Sequence, residues 1–210
     1  MQVDRIQAEQ RLEQGIRQMG LDLSPQIQQK LIDYLQLMLK WNKAYNLTAI
    51  RELDAMVVRH VLDSLSILPF INGSPVLDVG TGPGLPGIPL ALCLPDYQFV
   101  LLDSNGKKTR FLTQCKIDLK LENIDIIHSR VEDYTPGFGF EIITCRAFAA
   151  LNTILDRTQH LLTSTTRVLA MKGKDELPTL ATGYEQLAQH QLHVPWLEEN
   201  RQLIEIARLN

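Results

Sequence analysis

The sequence predicts an α/β fold: a mostly parallel sheet of seven strands, its last strand antiparallel, preceded by a helical extension. Three observations predict it. From residue 76 onward, short apolar runs alternate with stretches of helical length, the pattern of βαβ units. The first of these runs passes straight into a glycine-rich loop. The last two runs are separated by too few residues for a crossover helix, so they must pair antiparallel.

The elements follow in order. Residues 1–72 are expected to form the helical extension and 73–210 the main domain. Ser24 is placed to cap a helix and Pro25 suits its first position. Ile27, Leu31, Tyr34, Leu35, Met38 and Trp41 then recur at helical spacing. A further helix is expected over residues 54–68, closed by Pro69, and Asn72-Gly73-Ser74-Pro75 marks the break. Parallel strands are expected at residues 76–79, 99–102, 124–127, 142–145 and 168–171. The closing hairpin is expected to pair residues 192–196 with 202–207, joined by residues 197–201.

The most informative stretch is Val76-Leu77-Asp78-Val79-Gly80-Thr81-Gly82-Pro83-Gly84-Leu85-Pro86-Gly87. Strand, glycine loop and helix in succession form a nucleotide cradle at the carboxyl edge of a sheet. Glycines let the backbone turn sharply and approach a ligand where a Cβ would collide. No Gly-Lys-Ser/Thr ends the loop, which excludes a P-loop. Gly82-x-Gly84-x-x-Gly87 satisfies the dinucleotide pattern, but Gly80 holds the strand-end place where that pattern should begin. Asp78, also near the strand end, would repel a pyrophosphate and attract the amino group of S-adenosylmethionine (SAM). The arrangement resembles motif I of the class I SAM-dependent methyltransferases. Their Rossmann-like sheet ends in the same antiparallel hairpin, whereas an NAD(P)-binding half would continue in parallel. An NAD(P) oxidoreductase and a non-catalytic nucleotide-binding module are the alternatives.

Composition sets limits. The 210 residues are 45% hydrophobic and 21% charged, ordinary for a globular protein. The first ten residues are polar, unlike a signal peptide, and no apolar run approaches the ~20 residues of a membrane span. Cys93, Cys115 and Cys145 have spacings that suit neither zinc nor a disulfide framework, so no metal is expected and a reducing cytoplasm is the default. A net charge of −3 argues against a general polyanion binder; contact with nucleic acid must be local.

Several residues around the loop are candidates. Asp103 ends the second strand, where an acid accepts hydrogen bonds from ribose hydroxyls; the plainer alternative is that Asp103 or Ser104 caps the helix starting near Gly106. Val131 and Glu132 follow the third strand, where an adenine sits. After the fourth strand come Thr144-Cys145-Arg146-Ala147-Phe148. The Asn-Pro-Pro-Tyr box of amino-group methyltransferases is absent, and Cys145 lacks the Pro-Cys partner motif of cytosine-C5 enzymes. It reads as a buried thiol. Arg146 is the catalytic candidate because its fork binds a carboxylate, phosphate or base edge. A guanine N7 target fits this inventory, since that nitrogen loses no proton on methylation. His60, Asp63 and Ser64 crowd one helix and read as a structural network on its surface. Lys107, Lys108 and Arg110 begin the helix after Asp103 and are candidates for RNA contact; Lys40, Lys43, Arg51 and Arg59 offer a second basic surface.

Four segments extend the resemblance: residues 40–48 (Lys-Trp-Asn-Lys-Ala-Tyr-Asn-Leu-Thr), residues 59–64 (Arg-His-Val-Leu-Asp-Ser), residues 78–87, and Arg146-Ala147-Phe148. From about residue 20 onward the chain resembles the RsmG family, ribosomal RNA small subunit methyltransferase G. That resemblance implies a monomeric cytoplasmic enzyme that makes N7-methylguanine in bacterial 16S rRNA, with SAM contacts at Gly80, Leu85, Val131, Glu132 and Arg146. Asp78, Gly82, Gly84 and Asp103 join the cofactor set from the reading of the loop.

Overall fold

A computed structural model describes residues 2–146, 150–173 and 180–209. Helix α1 (Gln2–Gln18) is followed by α2 (Pro25–Tyr45), which begins where its capping signals lie: Ser24 Oγ accepts from Ile27 N at 3.3 Å, and Pro25 opens the first turn. Its stripe of Leu31, Tyr34, Leu35 and Met38 is fully buried, while Ile27 and Trp41 pack at the edge of the same cluster. Asn46 ends α2 in the left-handed region (φ 49°), a helix stop that asparagine tolerates.

The single helix expected over residues 54–68 is instead composite. Helix α3 (Leu53–Met56) runs into a π-helical segment (Val57–Leu62) and then α4 (Asp63–Leu65). Pro69 does not close this run but sits in a separate 3-10 turn, Leu68–Phe70. Apolar spacing alone does not separate a 3.6-residue turn from a wider one. The wide turn buries Val57, Val58, Val61 and Leu62, and with them His60 and Asp63.

The main sheet has strand order β3-β2-β1-β4-β5-β7-β6. Strands β1 (Val76–Val79), β2 (Phe99–Asp103), β3 (Ile124–His128), β4 (Ile142–Arg146) and β5 (Arg167–Lys172) are parallel, as expected. Between them run α5 (Gly87–Cys93), α6 (Gly106–Asp118) and, after β4, α7 (Leu151–Thr158). The last two strands are β6 (Tyr184–Leu192) and β7 (Arg201–Arg208), and β7 lies antiparallel to both β5 and β6. The hairpin is real, but its first strand begins earlier than expected: of residues 192–196 only Leu192 belongs to it, paired with Arg201, and 193–196 fall in the connection, where Trp196 has φ 61°. The sequence Tyr-Glu-Gln-Leu-Ala-Gln-His-Gln-Leu of β6 carries no apolar run. It forms the sheet edge, is largely solvated, and is bulged between Gln186 and Ala188.

Strand parity divides the interior. Val76, Phe99, Leu101 and Ile142 face one cluster with the N-terminal helices, α5 and α6; Leu77, Val79, Val100, Leu102 and Ile143 face a second with α7. The first cluster runs through Ile71 and Val76 without a break at residues 72–73. Tyr34 of α2, fully buried, donates from its hydroxyl to Pro83 O at 2.8 Å, so the extension props the glycine loop from behind. No helix among the described residues is long and apolar enough to cross a membrane.

Candidate active site

The β1 and β4 strands carry their connections to opposite faces, which opens a crevice at their carboxyl ends. The glycine loop lies there. Gly80 (φ 65°), Gly82 (φ 62°) and Gly84 (φ 98°) all take left-handed backbone, which side chains disfavour. Their roles differ. Gly80 lines the cavities on both sides of the loop and Gly82 lines one. Gly84, expected to face the cofactor, instead faces inward: a Cβ there would stand 2.5 Å from Ile88 Cδ1 and 2.9 Å from Leu112 Cδ2.

Asp78 also departs from expectation. Its place on β1 sends its side chain toward α5, the face opposite Leu77 and Val79, and it is fully buried. Asp78 Oδ2 accepts from Thr81 Oγ1 at 2.6 Å and from Gly87 N at 2.8 Å. This carboxylate pins the loop to the start of α5 through Oδ2 and is not among the residues that line the cleft, while its Oδ1 is buried without a hydrogen-bond partner among the described residues.

On one side of the loop lies a cavity of about 270 Å³, walled by Gly80, Asp103, Lys108, Val131, Glu132 and Arg157 among others. Asp103 Oδ2 accepts from Gly82 N at 2.9 Å and lies 3.5 Å from Lys108 Nζ, while Oδ1 accepts from Asn105 N at 2.8 Å. The cap of α6 is Asn105, whose side chain accepts from Lys107 N at 2.9 Å. Asp103 is therefore not the cap; it ties loop to strand and turns into the cavity with lone pairs to spare. Val131 forms a buried apolar wall, and Glu132 is held by Arg157 at 3.2 Å.

On the other side is a cleft of about 530 Å³, which shares Gly80 and Lys108 with the first cavity. Arg146 reaches it from the end of β4, donating from Nη1 to Asp63 Oδ2 at 2.9 Å and to Arg59 O at 3.1 Å. Arg201, at the start of β7, donates from Nε to Asp63 Oδ1 at 3.0 Å. His60 Nδ1 lies 3.0 Å from Arg59 O and Nε2 lies 2.9 Å from Thr48 Oγ1. A carbonyl only accepts, so Nδ1 carries the proton and Nε2 accepts from the hydroxyl. His60, Asp63 and Ser64 are thus buried rather than a helix-surface network, and the first two line the cleft. A charged pair inside an apolar helical stretch was the available signal. For Arg201, Lys172 and Arg157 the sequence held none.

The described cleft-lining side chains include five cations (Arg59, Lys108, Arg146, Lys172 and Arg201) against one acid, Asp63, in a chain whose net charge is −3. The positive field is local. Lys108 belongs to this floor, whereas Lys107 and Arg110 are exposed on α6 and line neither cavity. Cys145 is buried, which pushes its thiol up to about 12. It is inert at neutral pH. Ala147 and Phe148 lie outside the described residues. The largest of these hollows, about 740 Å³ between α1 and α2, mixes Lys40, Lys43 and Arg51 with Asp4, Glu52 and Asp54, away from the strand ends.

Two buried groups titrate in opposite senses. Burial raises the Asp78 carboxyl from 3.8 to about 6, so ionisation costs stability as the pH rises through that window. Burial, helped by Arg146, lowers His60 from 6.5 to about 4, so its stability is present above 6.5 and is lost as the pH falls toward 4. Each window is worth about 3 kcal/mol, and the two nearly cancel. Asp78→Asn keeps an acceptor for Thr81 and Gly87 but removes one of the two. Its stability should therefore fall about 3 kcal/mol more than the wild type's on going from pH 7 to 4, measured by urea denaturation; parallel pH curves would show that Asp78 does not titrate here.

A family model described as GidB, rRNA small subunit methyltransferase G, matches residues 27–204. The chain belongs to this family. It is 50% identical over 213 residues to the ribosomal RNA small subunit methyltransferase G of Ectopseudomonas mendocina (strain ymp), covering 99% of each chain. The protein of that name from Pseudomonas aeruginosa (strain LESB58) is 48% identical over 201 residues, covering 94% of each. Solved structures share the fold at low identity. A mutant of MtNAS in complex with S-adenosylmethionine aligns with a TM-score of 0.58 at 11% identity, covering 84% of this chain and 73% of that one. The mitomycin 7-O-methyltransferase MmcR aligns with a TM-score of 0.58 at 12% identity, covering 74% and 54%. The matched span includes residues 40–48. Asn42 donates from Nδ2 to Thr48 O at 2.9 Å and Ile50 O at 3.1 Å, and accepts from Thr48 N at 2.9 Å, which fixes the loop that carries Thr48 to His60.

Proposed function

We propose that this protein is a SAM-dependent methyltransferase that methylates N7 of a guanine in 16S rRNA of the small ribosomal subunit. One observation carries the reading beyond family membership: a strand-end glycine loop divides a nucleoside-sized cavity holding a buried carboxylate from a cationic cleft. The cofactor's nucleoside fits the first, and its methionine end extends past Gly80 into the second. Gly80 and Gly82 offer backbone without a Cβ, Asp103 supplies acceptors for ribose hydroxyls, Val131 and Glu132 wall the base, and Leu85 and Arg146 close the methionine end. When bound, SAM supplies an electrophilic methyl group on a sulfonium.

The chain's own residues then orient and desolvate. His60 is neutral with both ring nitrogens engaged, so it is not available as a general base, and guanine N7, which carries a free lone pair, requires none. Alignment of the two reactants supplies the rate. The pH–rate profile should accordingly lack the rise near neutrality that an essential base produces. The NAD(P) oxidoreductase and the non-catalytic module find no support in the relatives. Residues 1–72 serve as the extension that props the loop and 73–210 as the cofactor-binding unit.

The testing experiment is transfer of labelled methyl from SAM to naked 16S rRNA, a precursor particle and the finished small subunit, with the product nucleoside identified. No transfer to any of the three, or label elsewhere than N7 of guanine, overturns the reading. A particle substrate, a monomeric enzyme and a cytoplasmic site of action belong to the same proposal. Lys107 and Arg110 serve as outer RNA contacts. Replacing both by alanine should leave SAM affinity unchanged and reduce the slope of log affinity for RNA against log salt by roughly 1.5; an unchanged slope moves the outer contacts to Lys40, Lys43, Arg51 and Arg59.

A further inference from the structure

Asp63 is the only carboxylate among the described cleft residues, and it is almost completely buried at 3% exposure. Each of its oxygens takes a different arginine: Oδ2 takes Arg146 at 2.9 Å and Oδ1 takes Arg201 at 3.0 Å. Those arginines come from elements far apart in sequence, the end of β4 and the start of β7, and the carboxylate from α4. A buried acid that only balanced charge would need one partner. This one fixes the directions of two.

The directions matter because neither guanidinium is used up. Arg146 engages Asp63 and Arg59 O through Nη1 alone, and Arg201 engages Asp63 through Nε and Asn200 O through Nη1. Among the described residues, no hydrogen bond engages Arg146 Nε and Nη2 or Arg201 Nη2, and both side chains are about one-fifth exposed to the cleft, at 18% and 22%. Their places differ. Strand β4 is the neighbour of β1 and its glycine loop, whereas β7 lies two strands further out, with Lys172 of β5 and Gln202 of β7 in register. Arg146 therefore stands on the cofactor side and Arg201 on the outer side, beside Lys172 and Gly173. A guanidinium with free N–H groups in a partly desolvated cationic cleft matches a phosphate oxygen.

We propose that Asp63 is a positioning residue: it presets Arg146 toward the cofactor's carboxylate and Arg201 toward a backbone phosphate of the RNA, so that methyl donor and acceptor base are held in one frame. This rests on the methyltransferase reading. Asp63→Asn presents an acceptor to one arginine and an amide N–H to the other, so one guanidinium loses its fixed direction while the cleft gains one unit of positive charge.

The experiment compares wild type, Asp63→Asn and Arg201→Gln in three measurements: SAM affinity by calorimetry, RNA affinity as a function of salt, and steady-state methyl transfer to the wild type's preferred small-subunit RNA substrate. Asp63→Asn should lower kcat at least ~30-fold and weaken SAM several-fold, with KM for RNA unchanged or lower because positive charge has been added. A residue that merely held the fold together would lower the melting temperature without that split. Arg201→Gln should leave SAM affinity within ~2-fold and flatten the salt slope by about one contact's worth, ~0.7–0.9. A folded Asp63→Asn enzyme with kcat within ~3-fold of wild type overturns the proposal. If that variant does not fold, Arg201→Gln decides alone: normal turnover with an unchanged salt slope overturns it. Failure of the wild type to transfer methyl to RNA would instead overturn the activity on which it rests.

Discussion

Gly80→Val should bind SAM at least ~100-fold more weakly than the wild type, a loss of about 2.7 kcal/mol, while the protein still folds. Gly80 is the one loop residue that borders both the cavity and the cleft, and its φ of 65° is left-handed. Valine there costs about 1–2 kcal/mol of backbone strain, which a domain of this size withstands. Its side chain also projects from the place where the loop backbone must approach a ligand. Gly80→Ala separates the two effects: strain without bulk should weaken binding less than valine does. Calorimetry on the folded variants measures both, and wild-type affinity in Gly80→Val would remove Gly80 from the binding surface.

Gly87→Ala should destabilise the fold strongly, for a different reason. Its φ is not unusual, yet a Cβ would lie 2.3 Å from Leu101 Cδ2, 2.7 Å from Asp78 Oδ2 and 3.3 Å from Asp78 Cβ. Both neighbours are fully buried, so neither can swing into solvent. Helix α5 must lift from the sheet, and the 2.8 Å bond from Gly87 N to Asp78 is then strained or lost. Overpacking plus a broken charge-assisted hydrogen bond should cost about 3 kcal/mol, lowering the melting temperature by roughly 6–12 °C for a chain of this length. Urea denaturation within ~0.5 kcal/mol of wild type would show that α5 yields easily, a surface-like response.

The two glycines show where reading the sequence stops. Gly80, Gly82, Gly84 and Gly87 are equivalent as letters in a motif, and all four point to a nucleotide cradle. Only packing separates the one that borders both hollows from the two that let Ile88, Leu112, Leu101 and Asp78 close around them. Asp78 makes the same point: its charge and its place at the strand end are plain, but strand parity aims it at the start of α5, where it is fully buried.

What the sequence by itself determined is whatever is written in local periodicity and special residues. The five parallel strands are dense apolar runs, Ser24-Pro25 starts α2, and the glycine loop locates the site at one sheet edge; each signal lies within a few residues of its effect. The edge strand β6 escaped because a solvated strand at the sheet's rim needs no apolar run, and the π-helical turn escaped because apolar spacing tolerates it. The tertiary structure alone decided the assembly of the cationic cleft. Asp63, Arg146 and Arg201 are separated by 83 and 55 positions, and nothing local in any of the three announces the others. They meet because the antiparallel strand β7 returns beside β5 and brings its first residue to the carboxyl edge of the sheet, where partial exclusion of water strengthens the attraction of one carboxylate for two guanidiniums.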